Sequence, residues 1–373
     1  MGYLGYDLGF QLEEKLERRS ADDLGLQDCS LGFYNSILAV DHLRRRLYII
    51  CAGFPEKGTA LQRALCRANL KKMERLLCWA QEEKVSRDKA RARISAAPAR
   101  ANFSRQEYIA AVQKAKGYIA SGDIYQANLS QRFSGETDLS AAGIYLRLRS
   151  LSPADFCAYQ DYGGFQLASS SPERFLRVRG REVFTRPMKG TRPRGADARE
   201  DARLKAELAA SPKDRAELMM ITDLERNDLG RVCACHSVRV TQLRRIEQYR
   251  TVFQDTAGIR GELRPDKDRV DLLAACFPGG SITGCPKIRA MQVIEELEPQ
   301  RRGIYTGCLG YLGFSGEMDF NILIRTILKL GRRFYFHSGG GIVADSRPEK
   351  EYEETLVKAK AMLHALNQGY PQS

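Results

Sequence analysis

The 373-residue sequence lacks any run approaching the ~18 consecutive apolar residues that cross a bilayer, so no helical membrane span is expected. Its start, MGYLGYDLGF, has no basic stretch followed by an apolar one, and an unexported, cytoplasmic protein is expected. Paired cysteine spacings are also missing. Of ten cysteines only Cys233 and Cys235, next to His236, are clustered, and a structural metal site would need a second such pair. The thiols read as reduced. There is no internal repeat, no GxxxxGK[ST] phosphate loop, and no βαβαβ rhythm of a doubly wound dinucleotide fold. Charge of one sign is in deficit: 59 Lys and Arg face 46 Asp and Glu, giving +13. The basic clusters, at Arg44 to Arg46, Lys84 to Arg105, Arg186 to Arg194 and Arg301-Arg302, are dispersed and without interleaved aromatics. They read as a solvated surface, with no nucleic-acid platform expected. A hydrophobic content of 43% makes the chain globular.

Apolar residues recur at helical spacing from Leu61 to Glu83 (Leu65, Leu70, Met73, Leu77), and the basic stretch that follows reads as a linker or exposed arm. This divides a lobe with its linker, residues 1–100, from a body, residues 101–373. The body opens with a helix capped by Ser104, with Glu107 three residues on, and ended by Gly122. Phe165 to Ala168, Arg174 to Val178 and Glu182 to Thr185 read as strands, the last two joined across Arg179-Gly180. Strand-rich blocks with interspersed helices predict an α+β fold.

Four constellations can carry chemistry. Asp214 and Glu217, and Glu351 and Glu354, are acids at three-residue spacing on two helices. Brought together they would suit a hard divalent cation such as Mg²⁺; the alternative is a solvated face whose acids pair with Lys350 and Lys358. Gly279 to Lys287 runs from glycines into a helix start, with Thr283 as a cap and Lys287 adding charge for an anion, or else is a tight packed loop. Gly339-Gly340-Gly341 at the end of a strand forfeits side-chain packing, which fits a close backbone approach to a ligand or a strand corner. Finally, Glu173 precedes Lys189 by sixteen residues, and pairing of the strands between them would bring both to one rim. Lys189 among basic neighbours is a candidate nucleophile, or part of an exposed basic loop. An ordinary pKa near 10.4 would leave about one lysine in 2,500 neutral at pH 7, so its environment decides. Cys308, in IYTGCLGYLGF, reads as strand packing.

Taken in order, SSSPERF, RPMKGTRPRG, DRAELMMITDLERNDLGRV, GGSITGCPKIRAMQVIEELEPQRRGIYTG, MDFNILIRT and SGGGIVADSRPEKEYEET resemble the chorismate-utilising enzymes across most of residues 104–365. The resemblance implies a chorismate-binding sandwich of antiparallel sheets flanked by helices. Within the family, Lys before Gly-Thr is similar to aminodeoxychorismate synthase component I, whereas anthranilate synthase component I carries Ala there. It implies that Lys189 adds to chorismate while Glu173 acts as general acid, making 4-amino-4-deoxychorismate for 4-aminobenzoate and folate. Asp214, Glu217, Glu351 and Glu354 would hold Mg²⁺. Thr283, Tyr305, Arg325, Gly339, Gly340, Gly341 and Lys358 would bind the substrate, and Arg186, Arg192 and Lys287 would add positive charge around it. Ammonia would come from a glutamine amidotransferase subunit, since no glutaminase segment is seen. The resemblance also places GYLGYDLG well inside the family's N-terminal lobe, implying a reduced lobe without a tryptophan pocket, and Gln254 stands where many relatives have His. The alternatives are anthranilate synthase component I and a catalytically inactive basic binding protein.

Overall fold

The computed structural model describes residues 1–82, 98–249 and 252–367. They fall into two units: Leu31–Ala92 with Met1, and Gly2–Ser30 with Arg93–Ser373. The smaller unit is a hairpin, Ser36–Asp41 against Arg46–Cys51, turning at Arg45 in left-handed conformation (φ 53°), followed by the helix Thr59–Glu82. None of its described residues is buried.

Residues 2–30 belong to the larger unit, which differs from a boundary at residue 100. The reason is packing: Tyr3, Leu4, Tyr6 and Phe10 are buried, and Gly2–Leu4 pairs antiparallel with Cys308–Leu312. Most of the expected linker, 83–97, lies outside the described residues. Where description resumes the chain is no exposed arm, since Ala99 is buried and Arg100–Ala101 pairs with Gln126–Glu136.

The body is the expected α+β arrangement, with two antiparallel sheets among the described residues. One has nine strands; seven of them follow the order Met188–Pro193, Val252–Glu262, Glu182–Arg186, Arg174–Arg179, Met318–Ile322, Cys308–Leu312 and Gly2–Leu4, and Arg239–Gln248 pairs with Val252–Glu262 off this path. The other has seven and runs from Gly284–Cys285 through Gln126–Glu136, Arg333–Ile342, Thr326–Leu330 and Gln166–Ser171 to Phe156–Asp161. Each sheet buries an apolar face under helices. Phe175, Val178, Val183, Ile259 and Phe320 pack with Leu229 and Leu272, and Cys308 joins this core fully buried, as its strand context predicts. Phe133, stacked on Phe336 at 5.0 Å, packs with Ile144, Leu148, Met362 and Leu363. The helix Arg105–Ala120 starts at Ser104 with a reciprocal capping box to Glu107.

What positions the site is that the chain passes between the sheets twice in neighbouring places. Gln166–Ser171 lies in the second sheet and Arg174–Arg179 in the first, so Pro172-Glu173 forms one corner. Met318–Ile322 lies in the first and Thr326–Leu330 in the second, so Arg325 forms the other, in left-handed conformation (φ 51°). The corners are tied to each other. The Ile322 N–H donates to Glu173 O at 3.0 Å and the Ser170 N–H to Arg325 O at 3.1 Å.

Candidate active site

Arg174–Arg179 and Glu182–Arg186 form the expected hairpin, with Arg179 opposite Glu182 and Arg177 opposite Phe184. It therefore returns the chain from the Glu173 corner to Lys189 at the same end. Glu173 is buried, and burial pushes its carboxyl up from the ordinary range. A Ser281 hydrogen bond, Lys189, the Met188 N–H and Arg325 pull the other way. Lys189 sits on a strand whose register shifts at Gly190, a residue in left-handed conformation (φ 69°). Burial pushes the Lys189 ammonium down, opposed first by Glu217. Among the described residues no salt bridge or hydrogen bond holds its Nζ.

The three glycines lie where Arg333–Ile342 pairs with Gln126–Glu136, opposite Ser130, Leu129 and Asn128 in turn. Each excludes a side chain for a different reason. A Cβ on Gly339 would stand 2.4 Å from Leu129 O, a plain backbone clash. On Gly340 it would stand 3.3 Å from Glu354 Oε1 and 3.4 Å from Glu351 Oε2; on Gly341, 2.9 Å from Gln126 Nε2 and 3.4 Å from Lys189 Nζ. The glycines therefore leave space beside the amine and beside two of the expected carboxylates.

The four acids do not behave alike. Asp214 makes an ion pair with Arg192 at 3.1 Å, and its charge also acts on Glu217. Glu217 is partly buried and faces Lys213 at 3.8 Å; Glu354 pairs with Lys358 at 2.7 Å; Glu351 accepts from Ser346 Oγ at 2.6 Å. Because each acid has its own partner, no group of three or more His, Cys, Asp or Glu converges as a bare metal site among the described residues. The donor set still fits a hard cation. The Glu354 charge acts on both Glu217 and Glu351, and Glu351 and Glu354 open onto the Gly340 space.

Thr283 is buried, but its hydroxyl donates to Gly279 O at 3.0 Å and does not cap the helix Lys287–Leu297, whose N-cap is Pro286. Lys287 is likewise not aimed at a ligand. Its ammonium is spent on Asp228 at 2.6 Å and Cys276 O at 2.9 Å. Arg186 pairs with Asp155 and Glu247, and Arg192 with Glu207 and Asp214, so neither offers a free charge. Lys358 also donates to Gly339 O at 2.9 Å. Tyr305 stacks on His337 (centroids 4.8 Å apart), and burial pushes its hydroxyl up to about 12. Arg325 has no salt bridge or hydrogen bond to its guanidinium among the described residues, and burial pushes it down while Tyr249 and Glu173 attract it.

Two further residues escape the sequence reading. Gln126 is fully buried with both amide atoms unpartnered, close to the Gly341 space and so to Lys189. Arg302 is buried with its donors directed to Glu298, Ile282 O, Thr306 and Asn128 O, and stands over the Tyr305 ring at 5.5 Å. A signal for the first exists in QANLSQR: a strand carrying Gln, Asn, Ser, Gln and Arg, all buried, contradicts the apolar run expected of a doubly covered strand. Gln254, at the position where His was expected, is also buried with Oε1 unpartnered.

Comparison with known proteins agrees with this arrangement. The profile described as chorismate binding enzyme matches residues 1–364. Anthranilate synthase component 1 of Cereibacter sphaeroides is 39% identical, over 98% of this chain and 72% of its own length. Aminodeoxychorismate synthase component 1 of Bacillus subtilis is 40% identical, over 98% and 76%. The crystal structure of anthranilate synthase component I from Streptococcus pneumoniae superposes with a TM-score of 0.84 at 32% identity, covering 97% of this chain and 79% of that one. No helix among the described residues is long and apolar enough to cross a membrane. With a buried corner acid, a glycine strand and a half-buried lysine in one place, and with matches along nearly its whole length, the chain belongs to the chorismate-binding enzyme family.

Proposed function

We propose that this chain is the chorismate-converting component of an aminodeoxychorismate synthase. The observation that carries the reading is Lys189: an amine without a salt bridge among the described residues, pushed by burial toward its neutral form, at the same sheet corner as a buried carboxyl whose pKa is raised. A neutral amine and a protonated acid are the pair that nucleophilic displacement of a hydroxyl requires. The Lys189 lone pair forms a bond to C2 of chorismate as the C4–O bond breaks, and Glu173 gives its proton to the departing oxygen, which leaves as water. Ammonia then bonds to C4 as the C2–Nζ bond breaks, releasing Lys189 and 4-amino-4-deoxychorismate, a precursor of 4-aminobenzoate and folate. Arg325 and Tyr305 would bind a substrate carboxylate, and Thr283 and the Gly339 to Gly341 backbone would line the pocket with Lys358. Glu217, Glu351 and Glu354 would hold Mg²⁺, which would supply charge neutralisation for the ring carboxylate. Ammonia would reach the site from a glutamine amidotransferase partner in the cytoplasm.

The relatives carry both activities at similar identity, so the second reading is anthranilate synthase, with nitrogen placed at C2. Chorismate, Mg²⁺ and ammonium, followed by the downstream lyase, separate them by product: 4-aminobenzoate is expected, and anthranilate would replace the proposal with its rival. Lys189→Ala is expected to lower product formation by at least about a hundredfold. A wild-type rate would exclude the covalent route.

A further inference from the structure

The carboxylates that would hold the cation are interleaved with lysines. Lys213, in the first turn of the helix Pro212–Gly230, stands 3.8 Å from Glu217 on the same helix. Such a pair one turn apart is ordinary on a surface. What sets it apart is its reach: the Lys213 charge also acts on Glu351 and Glu354, which come from a different helix, Pro348–Leu366, and open onto the Gly340 space. Lys358 neutralises Glu354 and is itself anchored to Gly339 O, and Lys189 is held in place by burial; Lys213 is half exposed, with no backbone anchor among the described residues. Glu351 and Glu354 share the Gly340 space and Glu354 also acts on Glu217, and like charges so placed repel unless cations stand among them. In this structure lysines supply that charge, and Lys213 is the one free to leave.

We propose that Lys213 is the resident counter-ion of the Glu217, Glu351 and Glu354 cluster, that it swings into solvent when a divalent cation enters, and that it thereby sets cation affinity. The inference rests on the reading of these three acids as the cation site. The cost of displacing it is one partly screened charge at about 4 Å, a few-fold in affinity. A long, exposed side chain can make this exchange without moving the backbone.

The test is Mg²⁺ binding to the full chain by titration calorimetry and by Mg²⁺-dependent thermal stabilisation, neither of which needs turnover. Lys213→Met is expected to bind Mg²⁺ about fivefold more tightly than wild type at low ionic strength. The gain should shrink in about 0.5 M potassium chloride, where surface charges are screened. Lys213→Arg is expected to match wild type. Equal or weaker Mg²⁺ binding by Lys213→Met, with wild-type binding intact, overturns the counter-ion role and leaves the cation site standing. Absence of Mg²⁺ binding by wild type overturns the cation site itself, and the role of Lys213 falls with it.

Discussion

Along one strand, Gln126–Glu136, two kinds of buried polar environment lie two residues apart. At Asn128 and Ser130 every exposed need is met: Arg302 and Glu298 form a buried ion pair at 2.7 Å, Ser130 N–H and Oγ donate to Glu298, and Asn128 Nδ2 donates to Ile282 O. Among the described residues neither Gln126 amide atom has a partner, and the nearby half-buried Lys189 ammonium has no salt bridge or hydrogen bond. A buried polar group left unpaired costs about as much as a hydrogen bond is worth, so such groups persist where something else completes them. The difference separates scaffold from site. The satisfied cluster holds the Ile282-Thr283 loop, Tyr305 and the strand in place; the orphaned one faces the space kept open by Gly341.

Breaking the satisfied side should have the largest effect. Arg302→Met strands the Glu298 carboxylate and several carbonyls in the interior, and a loss of about 3–5 kcal/mol in urea unfolding is expected. Replacing Glu298 with Leu in the same chain should recover part of it, since an apolar pair leaves no buried charge. A loss below about 1 kcal/mol in the single variant would mean that the two environments do not differ energetically.

Asp7 extends the contrast, because it borders the satisfied cluster yet its carboxylate forms no salt bridge among the described residues. Its carboxylate accepts the Gly303 N–H at 2.7 Å; burial, with Asp28 and Glu295 nearby, pushes its pKa up from 3.8 to about 7 against the opposing pull of that hydrogen bond and of Arg18. A raised folded-state pKa means that the folded state holds the proton more tightly. Its contribution to stability is therefore intact below pH 3.8 and lost as pH rises to about 7. Asp7→Asn, which keeps an acceptor for Gly303, should raise stability at pH 8 by roughly 2–4 kcal/mol, with the gain shrinking toward pH 4. Parallel stability curves for the two proteins would remove Asp7 as a titrating group.

Much of this contrast was hidden in the sequence for a physical reason. Helix starts and hairpins are local, so the Ser104 capping box and the Arg179-Gly180 turn were legible, and through the hairpin so was the meeting of Glu173 with Lys189. The family resemblance extended this to the glycine strand. Partner choice is not local. Nothing around Lys287 or Asp214 announces that one will turn to Asp228 and the other to Arg192, because those partners arrive from other elements. Spacing put Asp214 with Glu217 on one helix but could not say which carboxylate finds an arginine. Nor could it place residues 2–30, whose strand pairs with one about three hundred residues later. Arg302 and Gln126 were equally silent as single letters, since a buried arginine and a buried glutamine are recognised by what surrounds them.

Gln126→Met gives the smallest effect and the most direct contrast with Arg302→Met, because the replacement is the same and the expected sign is opposite. The two side chains are close in volume, so little cavity or overpacking arises at a fully buried position. What changes is the removal of two polar atoms that have no partner among the described residues but are hydrated when the chain unfolds. Urea unfolding should therefore show a gain of about 1 kcal/mol. Conversion of chorismate by the same variant should fall, since the space beside Lys189 loses its donor and acceptor. The two readouts must move apart for the comparison to hold. A variant destabilised by 1 kcal/mol or more would show that Gln126 belongs with Arg302 on the scaffold side, its partners being supplied within the chain rather than by a ligand.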